Sequence, residues 1–176
     1  MSAQMPASDQ SSTAPVFTIV RRFAAPRPLV WRAWTEAGLL GAWFGPKGAK
    51  TTVLSQDLRP GGRLHGRMEI AEHGVVHFRF VYREIAAPER LVWVHSFADA
   101  AGEVVSAPFL DAWPRELVTT VHFEEAAAAT RVTLTSEPLG ASAAEIAAFI
   151  DLMQGMEAGW GGGFETLDGL LAKLGG

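Results

Sequence analysis

Two ionisable side chains fall where a buried site could use them, His95 and Glu157. His95 alternates in step with Leu91, Trp93 and Phe97 along an apolar strand pattern, so we expect it to point toward the interior. A neutral histidine in such a place is suited to act as a general base or to bind a polar head group. The alternative is a core histidine bonded to a backbone carbonyl.

Glu157 lies inside an apolar helical pattern, one residue after Met156 and three before Trp160. A carboxyl at the edge of a buried face would be suited to donate a proton or to contact a ligand. The alternative is a structural ion pair with Arg21, which interrupts the apolar face of the first predicted strand. We favour the ion pair slightly, because an inward arginine needs an anionic partner.

The other histidines are expected on the surface: His65 and His77 on polar strand faces, His73 in a turn, and His122 on an outward face. No pair of histidines has the helical spacing of a metal site, and the chain contains no cysteine. The glycine patterns of nucleotide-binding loops and of serine hydrolases are also missing. We therefore predict no metal, nucleotide or tightly bound cofactor.

The composition indicates a globular chain with a sizeable core, since 48% of the 176 residues are hydrophobic. A net charge of −4 argues against a nucleic-acid partner, and no apolar run is long enough for a membrane span. Residues 1–15 have neither the basic nor the apolar part of a signal peptide and are predicted to be a disordered tail. We expect one domain over 16–176 in a cytoplasmic protein. The excess of arginine over lysine is typical of GC-rich bacterial genomes.

The periodicity of the sequence predicts the strands and helices that carry these side chains. Strands are predicted over 16–23, 51–58, 62–71, 75–85, 90–97, 117–125 and 130–138. Two short helices with a bend are predicted between the first two strands. This order predicts an antiparallel meander.

The C-terminal segment is predicted to form one long helix. Ser142 and Glu145 have the spacing of a capping box, and an apolar stripe at steps of three and four follows from Phe149 to Leu174. Three glycines, 161–163, interrupt the stripe and each costs about 1 kcal/mol relative to alanine. We expect a kink or a break there.

These elements predict an α+β helix-grip fold, in which a curved antiparallel sheet of six to seven strands wraps around the C-terminal helix. Such a sheet is wider than one helix can cover, so the two short helices should close one end and a cavity should remain. Tyr82, the only tyrosine, would need a hydrogen-bond partner there. The predicted ligand-binding residues in its wall are Phe78, Phe80, Tyr82, Trp93, His95, Met153, Met156, Glu157 and Trp160.

Several motifs occur in the order seen in one known family. The most specific are Val30–Thr35 (VWRAWT), Trp43–Pro46 (WFGP), Arg59–Gly62 (RPGG) and Met156–Trp160 (MEAGW). Over about residues 16–174 the chain resembles proteins similar to the C-terminal domain of the activator of the heat-shock protein 90 ATPase. These belong to the START-like (SRPBCC, birch-pollen-allergen-like) superfamily. The resemblance implies the helix-grip fold. It leaves function open, because that fold serves lipid carriage, hormone sensing, cyclisation and co-chaperone work.

Three functions therefore remain. The favoured one is a binder of a hydrophobic or aromatic small molecule, because the predicted wall is apolar with sparse polar groups. The second is an enzyme of the cyclase or dehydratase type in which His95 or Glu157 moves protons. The third is a co-chaperone-like interaction module, which we consider weaker because we expect no second, chaperone-anchoring domain. A homodimer is compatible with each function.

Overall fold

The sheet is the largest part of the fold. A computed structural model describes residues 15–175, so most of the predicted disordered tail, residues 1–14, lies outside the described residues. The strands are β1 (Phe17–Phe23), β2 (Lys50–Gln56), β3 (Arg63–Ile70), β4 (Gly74–Ala86), β5 (Arg90–Ala98), β6 (Leu117–Ala126) and β7 (Ala129–Pro138). They form one antiparallel sheet in the order β1-β7-β6-β5-β4-β3-β2, with neighbouring strands antiparallel.

Four helices lie among the described residues. They are α1 (Arg27–Thr35), α2 (Ala37–Gly41), α3 (Ala143–Asp151) and α4 (Met153–Gly175). A proline in the first turn starts α1, where a missing backbone donor costs little. The predicted capping box is present at α3, because the Ser142 hydroxyl accepts from the Glu145 backbone while the Glu145 carboxylate accepts from the Ser142 backbone.

The predicted α+β helix-grip fold is confirmed, with a seven-stranded curved sheet packed against the long C-terminal helix. Alternation along β4 turns Phe78, Phe80 and Tyr82 toward the helix, and each is 2% exposed or less. The single-domain assignment of 16–176 stays a prediction. None of the helices described in residues 15–175 is long and apolar enough to cross a membrane.

The break in the C-terminal helix is not where the glycines predict it. One non-helical residue, Leu152, separates α3 from α4, and α4 then continues without interruption through 161–163. A Cβ atom on Gly163 would lie 2.8 Å from the Gly45 carbonyl oxygen, and one on Gly162 would lie 3.0 Å from Lys47. The glycines therefore allow close packing against the segment after α2, and this packing outweighs their poor helix propensity.

The end of the sheet covered by α1 and α2 is filled by aromatic side chains. Trp34 packs edge-on against Trp43, with ring centroids 4.6 Å apart, and against Phe123 at 5.9 Å. Phe164 of α4 completes the group by packing edge-on against Phe23 at 5.4 Å. Because these rings fill this end, the space between sheet and helix within residues 15–175 lies toward the opposite end.

Candidate functional site

A cavity of about 380 Å³ lies between the sheet and the first half of α4. Its wall combines side chains of β3, β5, β6 and β7 with the 99–116 loop and the α3–α4 junction. The lining residues are Pro46, Met68, Ile70, His95, Phe97, Phe109, Leu110, Trp113, Leu117, Thr119, Ser136, Leu152, Gly155, Met156, Gly159 and Trp160. A smaller space of about 190 Å³ adjoins it at Phe44 and Gly45 and shares the wall around His95 and Met156.

The loop that joins β5 to β6 forms the outer wall. Phe109 packs edge-on against Phe97 with ring centroids 5.7 Å apart, and Trp113 lies 5.6 Å from Phe149 of α3. These two contacts hold the loop across the open side of the sheet. The cavity is thus closed by a loop on one side and by a helix on the other.

His95 is the ionisable group of the cavity wall. Its ring stacks on Phe78 at a centroid distance of 6.2 Å and lies 5.2 Å from Phe80. Desolvation in these surroundings lowers the pKa of His95 to about 4, so the ring is neutral at pH 7. The Trp93 indole Nε1–H donates to His95 Nδ1 over 3.4 Å, which places the proton of the neutral ring on Nε2.

A pair of hydroxyl groups supplies the other polar contact of the wall. Thr119 and Ser136 lie opposite each other on β6 and β7, and their side-chain oxygens are 2.8 Å apart. Both residues are at most 2% exposed. The hydroxyls satisfy each other by one hydrogen bond, and the rest of the lining is apolar apart from backbone groups.

Three of the nine predicted site residues line this cavity: His95, Met156 and Trp160. The remaining aromatic candidates are correctly assigned to the inner face but lie in the filled core. Phe80 stacks on Trp93 at 4.7 Å, and Phe44 covers Phe80 at 5.4 Å. The predicted ligand-binding residues that lie in the core and not in the cavity wall are Phe78, Phe80, Tyr82 and Trp93. Met153 packs against the core beside the cavity. The alternation of side chains along a strand shows which residues lie on the inner face of the sheet, but it does not show which part of that face the short helices cover.

Tyr82 has its partner within the protein. The Gln56 side chain donates to the Tyr82 hydroxyl over 3.1 Å and to the Thr35 carbonyl over 2.8 Å. Burial raises the pKa of Tyr82 to about 12. The predicted need for a partner is therefore met by an amide side chain of β2 and not by a ligand.

The placement of Glu157 corrects the prediction. Its side chain is exposed and is not part of the cavity wall. Arg21 does pair with a carboxylate of α4, as an inward arginine requires, but the partner is Asp168. Position 168 is three turns further along the helix, where α4 passes over β1.

The other histidines lie away from the cavity interior. His122 is exposed as expected, and His73 is exposed but stacks on Phe109 at 4.1 Å. His65 and His77 are half-buried and joined by a 2.9 Å hydrogen bond, so neither is the freely exposed surface residue that the strand pattern predicts. Desolvation and the neighbouring His65 lower the pKa of His77. Within residues 15–175 no three histidine or acidic side chains come together as metal ligands do.

Sequence reasoning missed most of the wall. Phe109, Leu110 and Trp113 lie in an irregular loop without periodicity, and the available signal was three large apolar residues in a connection longer than most. Gly155 and Gly159 lie on the α4 face toward the cavity, where an added Cβ would meet nothing within 4 Å. Their spacing of four residues beside Met156 was the available signal for that face.

Comparison with known proteins gives the family. The model of the activator of Hsp90 ATPase homolog 1-like proteins matches residues 24–172. The chain belongs to this family. No curated protein matches the sequence significantly.

Solved structures agree with this assignment. An Arthrobacter aurescens protein is 27% identical with a TM-score of 0.77, over 94% of this chain and 90% of that one. A Mycobacterium smegmatis protein is 25% identical with a TM-score of 0.72, over 89% and 90%. The AHSA1 protein of Silicibacter pomeroyi has the same fold at 18% identity, with a TM-score of 0.67 over 90% of this chain and 98% of that one.

Proposed function

We propose that this family member binds a hydrophobic or aromatic small molecule in the cavity between the sheet and α4. The observation that carries the proposal is the wall itself, which is apolar and aromatic over about 380 Å³ and has three polar side chains. Sites for small molecules have this size and this sparse polarity. The cytoplasmic location and the homodimer stay predictions from the sequence.

Two features favour binding over catalysis. The described lining holds one titratable side chain, His95, and Glu157 lies outside the cavity. A histidine whose pKa is about 4 is a weak base at neutral pH, so it has little driving force to accept a proton. A cyclase or dehydratase would need a second proton-transfer group that this wall does not offer within residues 15–175.

The co-chaperone alternative rests on the family description alone. The exposed large apolar side chains of the described residues are scattered over several elements, as in Leu54, Val75 and Ile150. Single exposed apolar residues are ordinary on protein surfaces and do not mark a docking site. The cavity is the feature with a specific chemical use.

The test uses Nile red, a neutral apolar dye, and a variant that fills the cavity. We expect saturable one-to-one binding with quenching of tryptophan emission, because Trp160 and Trp113 line the wall. Gly159→Leu should weaken binding about tenfold or more, since its side chain enters the open space that Gly159 faces.

Gly161→Leu is the matched control, because Gly161 has equal room for a Cβ on the same helix but does not line the cavity. It should bind the dye as the wild type does. Absence of saturable binding, or equal binding by Gly159→Leu, would contradict the proposal.

A further inference from the structure

The cavity interior is free of charged side chains. Among the lining residues described there is no aspartate, glutamate, lysine or arginine. Lys47 and Glu72 line an outer depression that shares Phe109 and Gly159 with the cavity. Lys47 is already paired with Glu165 at 2.9 Å. An anion inside the cavity would therefore lose its water without gaining a counter-charge.

His95 offers one directed hydrogen-bond donor. Its Nδ1 is used by the Trp93 indole, and its ring is held between aromatic neighbours. Among residues 15–175, the side-chain hydrogen bond that His95 makes is the one at Nδ1, which leaves its Nε2–H to donate. A ligand with an acceptor atom at this point gains a hydrogen bond, whereas a purely apolar ligand leaves the donor unpaired.

The Thr119–Ser136 pair offers a second donor. Two hydroxyls that share one hydrogen bond have one O–H left to donate. Ser136 lies two strands away from His95 across the sheet, since β6 separates β5 from β7. His95 pairs with Leu117 of β6, whereas Ser136 pairs with Thr119, two residues further along that strand. At about 4.8 Å per strand and about 3.4 Å per residue, the two donors are on the order of 12 Å apart.

We propose that this cavity selects neutral ring compounds that carry a carbonyl or similar acceptor for His95, and that it rejects carboxylates of the same shape. This inference rests on the proposed function and names its ligand class. The selectivity arises because a carboxylate would be desolvated beside hydrogen-bond donors but without a cation. A carbonyl keeps one hydrogen bond at little desolvation cost.

Three probes of nearly equal shape test it by calorimetry at pH 7: acetylnaphthalene, ethylnaphthalene and naphthoate, all substituted at the same ring position. We expect acetylnaphthalene to bind about tenfold more tightly than ethylnaphthalene, the factor that one hydrogen bond contributes. It should exceed naphthoate by about tenfold or more.

Variants of His95 test whether this side chain causes the preference for acetylnaphthalene. His95→Phe should bring acetylnaphthalene to the affinity of ethylnaphthalene, and an unchanged far-UV circular dichroism spectrum shows that the variant is folded. His95→Gln keeps an N–H donor and should retain part of the preference.

The outcomes separate this inference from the proposed function. If none of the probes binds, the proposed function fails and this inference with it. If naphthoate binds as tightly as acetylnaphthalene, the cavity binds small molecules but the selectivity is wrong. If acetylnaphthalene and ethylnaphthalene bind equally, or His95→Phe leaves their difference intact, the acceptor contact at His95 is wrong.

Discussion

The two halves of α4 face the same sheet but meet different surroundings. In the second half, which begins at Phe164, the residues Phe164, Leu167 and Leu171 are all buried. In the first half, Met156 and Trp160 are only half-buried, and both line the cavity. The helix is continuous between these halves, so the difference lies in what covers them.

That cover comes from different parts of the chain. Over the second half, α1 supplies Trp34 and the segment directly after α2 supplies Trp43, and both pack around Phe164 at centroid distances of 6.0 and 6.1 Å. Over the first half, Trp160 still stacks on Trp34 at 6.1 Å, but the rest of the cover is an irregular loop, in which Trp113 contacts Phe149 of α3. Regular elements can be packed tightly against a sheet, whereas the loop closes the space without filling it. One end of the interface therefore provides stability and the other provides volume.

The largest expected difference is between truncations in the two halves. Phe164→Ala should lower the free energy of unfolding by about 3–5 kcal/mol, because it leaves a cavity within close-packed aromatic rings. Met156→Ala should cost less, about 1 kcal/mol, because its side chain already borders empty space. Urea denaturation of both variants measures the difference, and equal losses would show that the two halves are packed alike.

Two glycines of α4 provide a second test of how closely the helix is packed. Gly163→Ala should destabilise by about 1–3 kcal/mol, because its methyl group meets the Gly45 carbonyl and backbone must shift. Gly161→Ala should stabilise by about 1 kcal/mol through helix propensity, since its methyl group meets nothing. Thermal unfolding of the two variants shows whether each substitution stabilises or destabilises the protein. A stabilising Gly163→Ala would show that the segment after α2 does not pack closely there.

The sequence was sufficient for the fold because its periodic signals were long. Alternation placed each of the seven strands within about two residues of its observed bounds, and the apolar stripe placed the C-terminal helical segment but not its break at Leu152. The capping box placed the start of α3. The glycine run failed because helix propensity is a local quantity, and close approach to Gly45 is a tertiary one that no local pattern shows.

The site was harder to predict for a related reason. His95 could be predicted because the alternation along β5 shows that its side chain lies on the inner face of the sheet. Trp93, two residues earlier, lies on the same face, but its ring is covered by Trp34 at a centroid distance of 6.2 Å. The sequence does not show which of the inward residues α1 covers. Asp168 was missed because the partner of Arg21 depends on where α4 crosses β1, which periodicity leaves free.

His95 in the cavity wall should also make the stability of the protein depend on pH. His95 has a pKa of about 4 when folded against 6.5 in its ordinary state, so the unfolded chain binds the extra proton. Stability from this group is present above pH 6.5 and is lost as pH falls toward 4. With allowance for water in the cavity, the loss is on the order of 1 kcal/mol.

Urea denaturation between pH 4 and 7 checks this dependence, since His95→Phe should flatten the profile in that window. The exposed His122→Gln serves as control and should not. If His95→Phe left the dependence of the unfolding free energy on pH unchanged, the His95 side chain would be solvated in the folded protein, contrary to this prediction.

The smallest effect is expected at the ion pair between Arg21 and Asp168, which ties the filled end of α4 to β1. Both side chains are substantially exposed, at 34% and 41%, so solvent screens the pair. Asp168→Asn should therefore lower the free energy of unfolding by about 1 kcal/mol or less, and 0.5 M salt should remove most of that loss relative to wild type. A double-mutant cycle with Arg21→Gln measures the pair itself. A coupling above about 2 kcal/mol would show that the ion pair, and not the aromatic packing around Phe164, holds this half of the helix to the sheet.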